Sequence, residues 1–287
     1  MNYHDWTGLT VNVADGVATV TLDHPPLNLM DGVLLPSLRG FVRQVRDDAA
    51  VRVIVFQSAD EEFFSAHGDM GYLTDPDALP AATRAALAAA PDTPVPDGLN
   101  IIQALGVEVR ALPQITIGKI AGFARGAGNE FLMSLDMRFA AIGRSGQAQP
   151  ESLLGILPGG GGTLNTTRLV GRARALELVV GGQLVDAEVA ERYGLVNRAL
   201  PAADLDAFVD ALARRIARVR PKVVAEIKST VDAVAPGIPH EAYKVENASL
   251  YALFSDEVVA TARRQLAAGV QTRDGERDLE GLLDRIA

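Results

Sequence analysis

The sequence contains no cysteine. That excludes disulfides, thiolate nucleophiles and thiolate-bound metals. It also fits a reducing compartment, so a cytoplasmic location is expected. No run of about 18 apolar residues occurs, and no membrane span is expected. Basic charge is not in excess: 27 Lys and Arg stand against 36 Asp and Glu, a formal net charge of -9. This balance disfavours nucleic acid or anionic lipid as a general partner, while leaving room for a local grip on a small phosphorylated ligand. Residues 1–8 lack a basic region followed by an apolar one, so no secretory signal is expected. His4, His24 and His240 are too scattered to suggest a metal site.

What is present is ordinary for a folded chain: 287 residues, 48% hydrophobic and 22% charged. That is enough for one α/β domain with a helical appendage. Leu9, Val11 and Val13 alternate up to Asp15-Gly16, and Val17, Thr19 and Thr21 continue beyond it, which predicts a hairpin. Leu34, Leu38, Phe41, Val42 and Val45 recur at helical spacing, and the β-branched run 51–57 predicts a buried strand. Together these suggest a crossover unit. Residues 75–97 are rich in Ala, Pro and Asp and read as an inserted surface segment with a short helix. Then come a helix over 98–112, a strand over 115–120, a glycine-bearing loop over 122–128, a helix over 130–135 and a strand over 137–142. A sharp turn at 158–162 precedes helices from Thr163, over 173–180 and over 186–193. A short strand is expected over 195–199. From Asp204 onward only helical periodicity is found, broken at Pro221 and at 236–239. The body, 1–203, is thus expected to be α/β and 204–287 helical.

Three glycine-bearing stretches follow strands or open helices: 63–69, 122–128 and 158–162. Such places expose backbone N–H groups backed by a helix dipole, suited to a phosphate or to a developing oxyanion. A Walker loop would need a Gly-Lys-Ser/Thr ending, which none has. A dinucleotide loop would need a glycine where Phe131 stands. Each stretch taken alone also reads as a simple tight turn.

Their order along the chain carries more. His24-Pro-Pro-Leu-Asn28, Phe64-Ser-Ala-His-Gly-Asp69, Ile120-Ala-Gly-Phe-Ala-Arg-Gly-Ala-Gly-Asn-Glu130 and Gln149-Pro-Glu151 through Gly155-Ile-Leu-Pro-Gly-Gly-Gly-Gly-Thr163 occur in sequence, and Tyr193-Gly-Leu-Val-Asn197 follows them. From about Leu9 to Pro201 the chain resembles the crotonase, or enoyl-CoA hydratase/isomerase, superfamily. The resemblance implies a spiral of ββα units with a C-terminal helical region serving oligomerisation, as a homotrimer or homohexamer. It implies an acyl-CoA thioester as ligand, coenzyme A being part of the substrate and no separate cofactor. The backbone N–H groups of Gly68 and Ala127 would form an oxyanion hole, each donor being typically worth about 3–4 kcal/mol of barrier. Glu130 and Glu151 would be the catalytic pair around one water. Leu27, Ala66, His67, Asp69, Gly126, Pro150 and Gly159 would contact the substrate.

Adding water across a C=C needs a base for the water and an acid for carbon, and two carboxyl groups in a dry pocket provide both if their proton affinities are split. The plainer reading of Glu130 is an acid favoured in a helix first turn. Hydration of a 2-enoyl-CoA is therefore the expected reaction. Isomerisation, other crotonase-type lyase or hydrolase chemistry, and a non-catalytic acyl-CoA binder are the alternatives. The chain departs from the family pattern at three positions: His67 stands where glycine is usual, Ala127 replaces a glycine, and Ala121 replaces an asparagine. The spacing of the two glutamates is one residue longer than the family's, which points to the turn 143–146. The His67 ring either turns away or faces the acyl pocket and tunes it. Asp69 is expected to cap the following helix. Lys119, Arg125 and Lys228 either meet CoA phosphates or belong to solvated faces. Tyr193 and Phe254 are expected in the core. The 75–97 segment is expected to cover part of the acyl pocket.

Overall fold

The computed structural model describes residues 3, 6–235 and 237–286; His4, considered above, lies outside them. Strands β1 (Leu9–Ala14) and β2 (Val17–Leu22) form the antiparallel hairpin. Asp15 and Gly16 turn it with φ of 53° and 81°, the left-handed pair that a two-residue hairpin requires. Helix α1 (Leu34–Arg46) then leads to β3 (Val53–Ser58), which pairs parallel with β2. After β4 (Phe63–Ser65) come the short α2 (Gly71–Thr74) and α3 (Ala78–Ala89). Helix α4 (Ile101–Arg110) starts at a capping box, in which Asn100 accepts from the Gln103 N–H and the Gln103 side chain accepts in return.

The next stretch builds the centre: β5 (Ile115–Ile120), β6 (Phe123–Arg125), α5 (Gly126–Ser134), β7 (Met137–Ile142), β8 (Gly146–Ala148) and a 3-10 turn over Pro150–Leu154. Then follow α6 (Gly162–Val170), α7 (Arg172–Gly181), β9 (Val185–Asp186), α8 (Ala187–Tyr193) and β10 (Arg198–Pro201). The helical remainder is α9 (Ala202–Ala217), α10 (Pro221–Val234), α11 (His240–Leu253), α12 (Asp256–Ala268), α13 (Arg273–Arg277) and α14 (Leu279–Ile286).

Among the described residues, one sheet runs β1-β2-β3-β5-β7-β10 and a second runs β4-β6-β8-β9. The central strands of the main sheet are buried on both faces, which explains their β-branched runs. Successive residues of β3 serve opposite cores: Ile54 and Phe56 join α1, α4 and α5 on one side, while Val53 and Val55 meet α9 through Leu205, Val209 and Ala213 on the other. Phe56 is fully buried and edge-on to both Phe41 and Phe131, at centroid distances of 6.1 and 5.1 Å. This is the crotonase spiral of mixed sheets flanked by helices, with a helical C-terminal region.

Two expectations shift. The glycine-bearing stretch 122–128 is not a loop: it forms β6, and α5 begins at Gly126, four residues before the expected start. Gly126 makes the corner between them with φ of +47°. The strand expected at 195–199 lies instead at Arg198–Pro201, because the N–H groups of Leu195 and Val196 close the end of α8 on the Ala190 carbonyl. The 75–97 segment is anchored to the body. Buried Arg39 donates to the carbonyls of Ala86 and Thr93 while gripping Glu108 at 2.8 Å.

Candidate active site

The second sheet gathers the glycine-bearing stretches around one cavity of about 170 Å³. Gly68 sits in a parallel bridge with Met30, in which the His67 carbonyl and the Asp69 N–H face Met30. Strand alternation turns the Gly68 N–H to the opposite side. Ala127 is the second residue of α5, where an N–H has no acceptor within the helix. A methyl group placed on Gly68 would lie 3.3 Å from that of Ala127, so the two peptides are near neighbours. Both residues line the cavity.

Glu130 lies on the second turn of α5, not in the first turn. It is buried, and its Oε1 accepts from the N–H groups of Gly160 (2.7 Å) and Gly162 (2.8 Å). Glu151 rides on the 3-10 turn. Its Oε1 stands 2.9 Å from where a Cβ on Gly126 would be, and its Oε2 is sheltered from solvent without a hydrogen-bond partner among the described residues. Asn129 joins the two carriers by donating to Gln149 Oε1 at 2.9 Å. Glu246 of α11 closes the group, accepting from the Gly161 N–H and from Gln103 Nε2, both at 2.8 Å.

Three buried carboxyl groups that feel one another's charge cannot all ionise cheaply. Burial holds Glu130 well above the usual carboxylate range, Glu151 and Glu246 add to this, and the Gly160 and Gly162 N–H groups oppose it. Burial raises Glu151 to about 7, tempered by its own backbone N–H and by the charge on His67. Glu246 is raised as well, first by burial. The arrangement therefore keeps a proton within the cavity near neutral pH, with an unbonded carboxylate oxygen beside it.

Several expected site residues stand elsewhere. His67, Asp69, Gly126, Pro150 and Gly159 line the cavity; Leu27 and Ala66 do not, but pack with Phe63 behind it. Asp69 stands one residue before Met70, the N-cap of α2, and its side chain accepts from the N–H of Gly71, the first residue of that helix, and from Gln271 Nε2. Phe254 is not core: it is 38% exposed and lines the cavity mouth. Tyr193 is half-buried, its hydroxyl donating to Glu177. The three candidate phosphate cations are all engaged. Lys119 pairs with Asp206. Lys228 donates to the carbonyls of Leu112 and Gln114 and to Asp136. Arg125 is fully buried, forked on Glu280 at 2.7 and 2.8 Å and stacked over Phe123. Replacing Arg125 with Met should leave Glu280 uncompensated and cost about 3–5 kcal/mol in urea unfolding; a loss under 1 kcal/mol would contradict that burial.

Sequence reasoning missed Asn129, Gln149, Glu246 and Glu276. For Glu246 a signal existed: the buried positions of α11 are Tyr243, Glu246 and Asn247, so a helix face pointing inward carries an acid and an amide. Such residues stay buried only when partnered.

The family model for enoyl-CoA hydratase/isomerase matches residues 12–267. A Mycobacterium tuberculosis protein named probable enoyl-CoA hydratase is 30% identical over 247 residues, covering 84% of this chain and 87% of its own. The carnitinyl-CoA dehydratase of Escherichia coli is 30% identical over 229 residues, covering 79% and 81%. A crystal structure from Streptomyces avermitilis, provisionally named an enoyl-CoA hydratase, superposes with a TM-score of 0.88 at 43% identity over 98% of each chain. With the spiral fold, the two apposed peptides and the sheltered carboxyl pair in place, the chain belongs to the enoyl-CoA hydratase/isomerase family.

Proposed function

We propose that the protein hydrates a 2-enoyl-CoA to a 3-hydroxyacyl-CoA. The observation that carries this reading is Glu151: a carboxyl group raised to about 7 by burial, with one unbonded oxygen, next to a second protonated carboxyl group. The thioester carbonyl oxygen is placed at the Gly68 and Ala127 N–H groups, whose dipoles and the helix behind Ala127 stabilise the negative charge that develops there. The Glu130–Glu151 pair enters with one proton. Its carboxylate takes a proton from water as the hydroxyl oxygen bonds to C3, and its carboxyl group gives a proton to C2. The pair ends with one proton, as it began, and water is the only reagent consumed.

A second reading has one specific support. Glu130 Oε1 already accepts two backbone N–H groups, which leaves Glu151 as the better-placed base. One base carrying a proton between C2 and C4 would isomerise a 3-enoyl-CoA. Crotonyl-CoA and a 3-enoyl-CoA assayed in parallel separate the two: hydration predicts loss of the enoyl band with crotonyl-CoA and its abolition by Glu130→Gln, whereas isomerisation predicts appearance of that band and a Glu130→Gln variant that still works.

The acyl end of the site is apolar. Leu73, Leu154, Ile156, Leu250, Val270 and Leu283 are among its walls, and Leu79 is the contribution from the 75–97 segment. Deleting that segment would also remove the carbonyls that hold Arg39, so a point change is the cleaner probe. Leu79→Trp should raise KM for long enoyl chains by about tenfold, on the scale of a few buried methylenes, and leave crotonyl-CoA unaffected. Equal effects on both substrates would place Leu79 outside the acyl path.

A further inference from the structure

The cavity has a feature that the proposed hydration does not use. His67 is buried, and both of its ring nitrogens meet oxygen acceptors: Nδ1 meets the Gly68 carbonyl at 2.6 Å, and Nε2 meets Glu276 Oε1 at 3.0 Å. A carbonyl cannot donate, and an ionised carboxylate cannot either. Satisfying both therefore requires a proton on each nitrogen, so the ring is an imidazolium. The charge count of the surroundings agrees. Glu276 is fully buried, and its Oε1 also accepts the Gln271 N–H. Its Oε2 is 3.9 Å from Arg125 Nη1, and Arg125 is forked on Glu280. Arg125 and a cationic His67 balance Glu276 and Glu280, whereas a neutral ring would leave one buried negative charge uncompensated, a costly state.

Both His67 and Glu151 also line the cavity. A Cβ on Gly126 would lie 2.9 Å from Glu151 Oε1 and 3.4 Å from His67 Cβ, so both side chains border that glycine, and the charge on His67 favours ionisation of Glu151. We propose that His67 is a positioning residue: its cationic ring, clasped by Glu276 from α13, holds Glu151 in the ionised, water-activating form. Behind Glu151 stand Glu246, which opposes its ionisation, and Glu130, whose own ionisation a charged Glu151 opposes. Asp69, on the loop of His67 itself, is bonded to Gln271 and Gly71. His67 is thus the cation placed to answer the carboxylates of this cavity. Burial works against the charged ring, but the Glu276 carboxylate outweighs it and raises the affinity of His67 for its proton; the same pairing lowers Glu276 against the effect of its own burial.

The kinetic consequence rests on the hydratase reading; the protonation of the ring does not. The chain has four histidines, so nitrogen-15 NMR resolves His67, assigned by its loss in His67→Gln. Both ring nitrogens should still carry protons at about pH 8, well above the ordinary histidine range, and Glu276→Gln should return the ring to neutrality by about pH 7.5. In His67→Gln the acid limb of kcat/KM for crotonyl-CoA should move to higher pH by about one unit, as expected when an opposite charge within a few ångströms is lost. The double variant His67→Gln, Glu276→Gln keeps a hydrogen bond without charges. It should regain stability while retaining the displaced limb, whereas a purely structural role would restore both. A wild-type ring that is neutral at pH 7, or a charged ring whose removal leaves the limb in place, overturns the proposal. If wild-type protein has no turnover at all, the hydratase reading falls; the infrared carboxyl band of Glu151, identified by its loss in Glu151→Gln, then reports the same shift.

Discussion

Glu151→Gln should lower kcat for crotonyl-CoA hydration by about 10²–10⁴-fold while leaving ligand affinity close to that of the wild type, the range expected for loss of a positioned acid–base group. The same substitution should stabilise the fold above neutral pH. Burial lifts Glu151 from an ordinary 4.5 to about 7 in the folded protein. The folded state therefore binds this proton more tightly than the unfolded state does. Stability from the group is full below about pH 4.5 and is lost as pH rises through about 7. Glutamine has no proton to lose, so the variant should gain on the order of 2–3 kcal/mol at pH 8 and almost nothing at pH 4.5. Urea unfolding at the two pH values measures the difference. Equal stability gains at both, or turnover like the wild type, would remove Glu151 from the role assigned to it.

Ala127→Pro should cost kcat about 10²–10³-fold, the usual effect of losing one oxyanion donor. The substitution is selective for a structural reason. Ala127 is the second residue of α5, where proline is tolerated because that N–H has no helical acceptor to lose. The residue before it is glycine, which has no Cβ to clash with the proline ring. Circular dichroism and the melting temperature should stay near those of the wild type while turnover falls. Turnover that survives in a folded variant would mean that the thioester oxygen is held elsewhere.

Most of the main sheet was legible because its central strands are runs of apolar or β-branched residues bounded by turn residues, as at Val53–Ser58 and Met137–Ile142; β10, Arg198–Pro201, has no such run. The helix expected over 98–112 is present as α4, Ile101–Arg110. The second sheet was not legible. Its strands are two or three residues long, too short for a period to register, and Phe123–Arg125 looked like loop because glycines flank it. Motif order located Gly68, Ala127, Glu130 and Glu151, and the structure brings all four to one cavity. Their partners were beyond reach: Glu276 meets His67 across 209 positions and Glu280 meets Arg125 across 155, and no local pattern encodes such pairs. The same distance explains why Arg125 looked available for phosphate when its fork was already filled.

The clasp between residues near 67, 125 and 276–280 has a temporal side. A ribosome releases the oxyanion loop and the glutamate carriers long before it releases α13 and α14. Until those helices arrive, His67 and Arg125 face water and the wall containing Leu279 and Leu283 is missing. The proposed site is therefore completed late in synthesis, and a nascent chain with its sheets already formed would still lack the wall that shelters it.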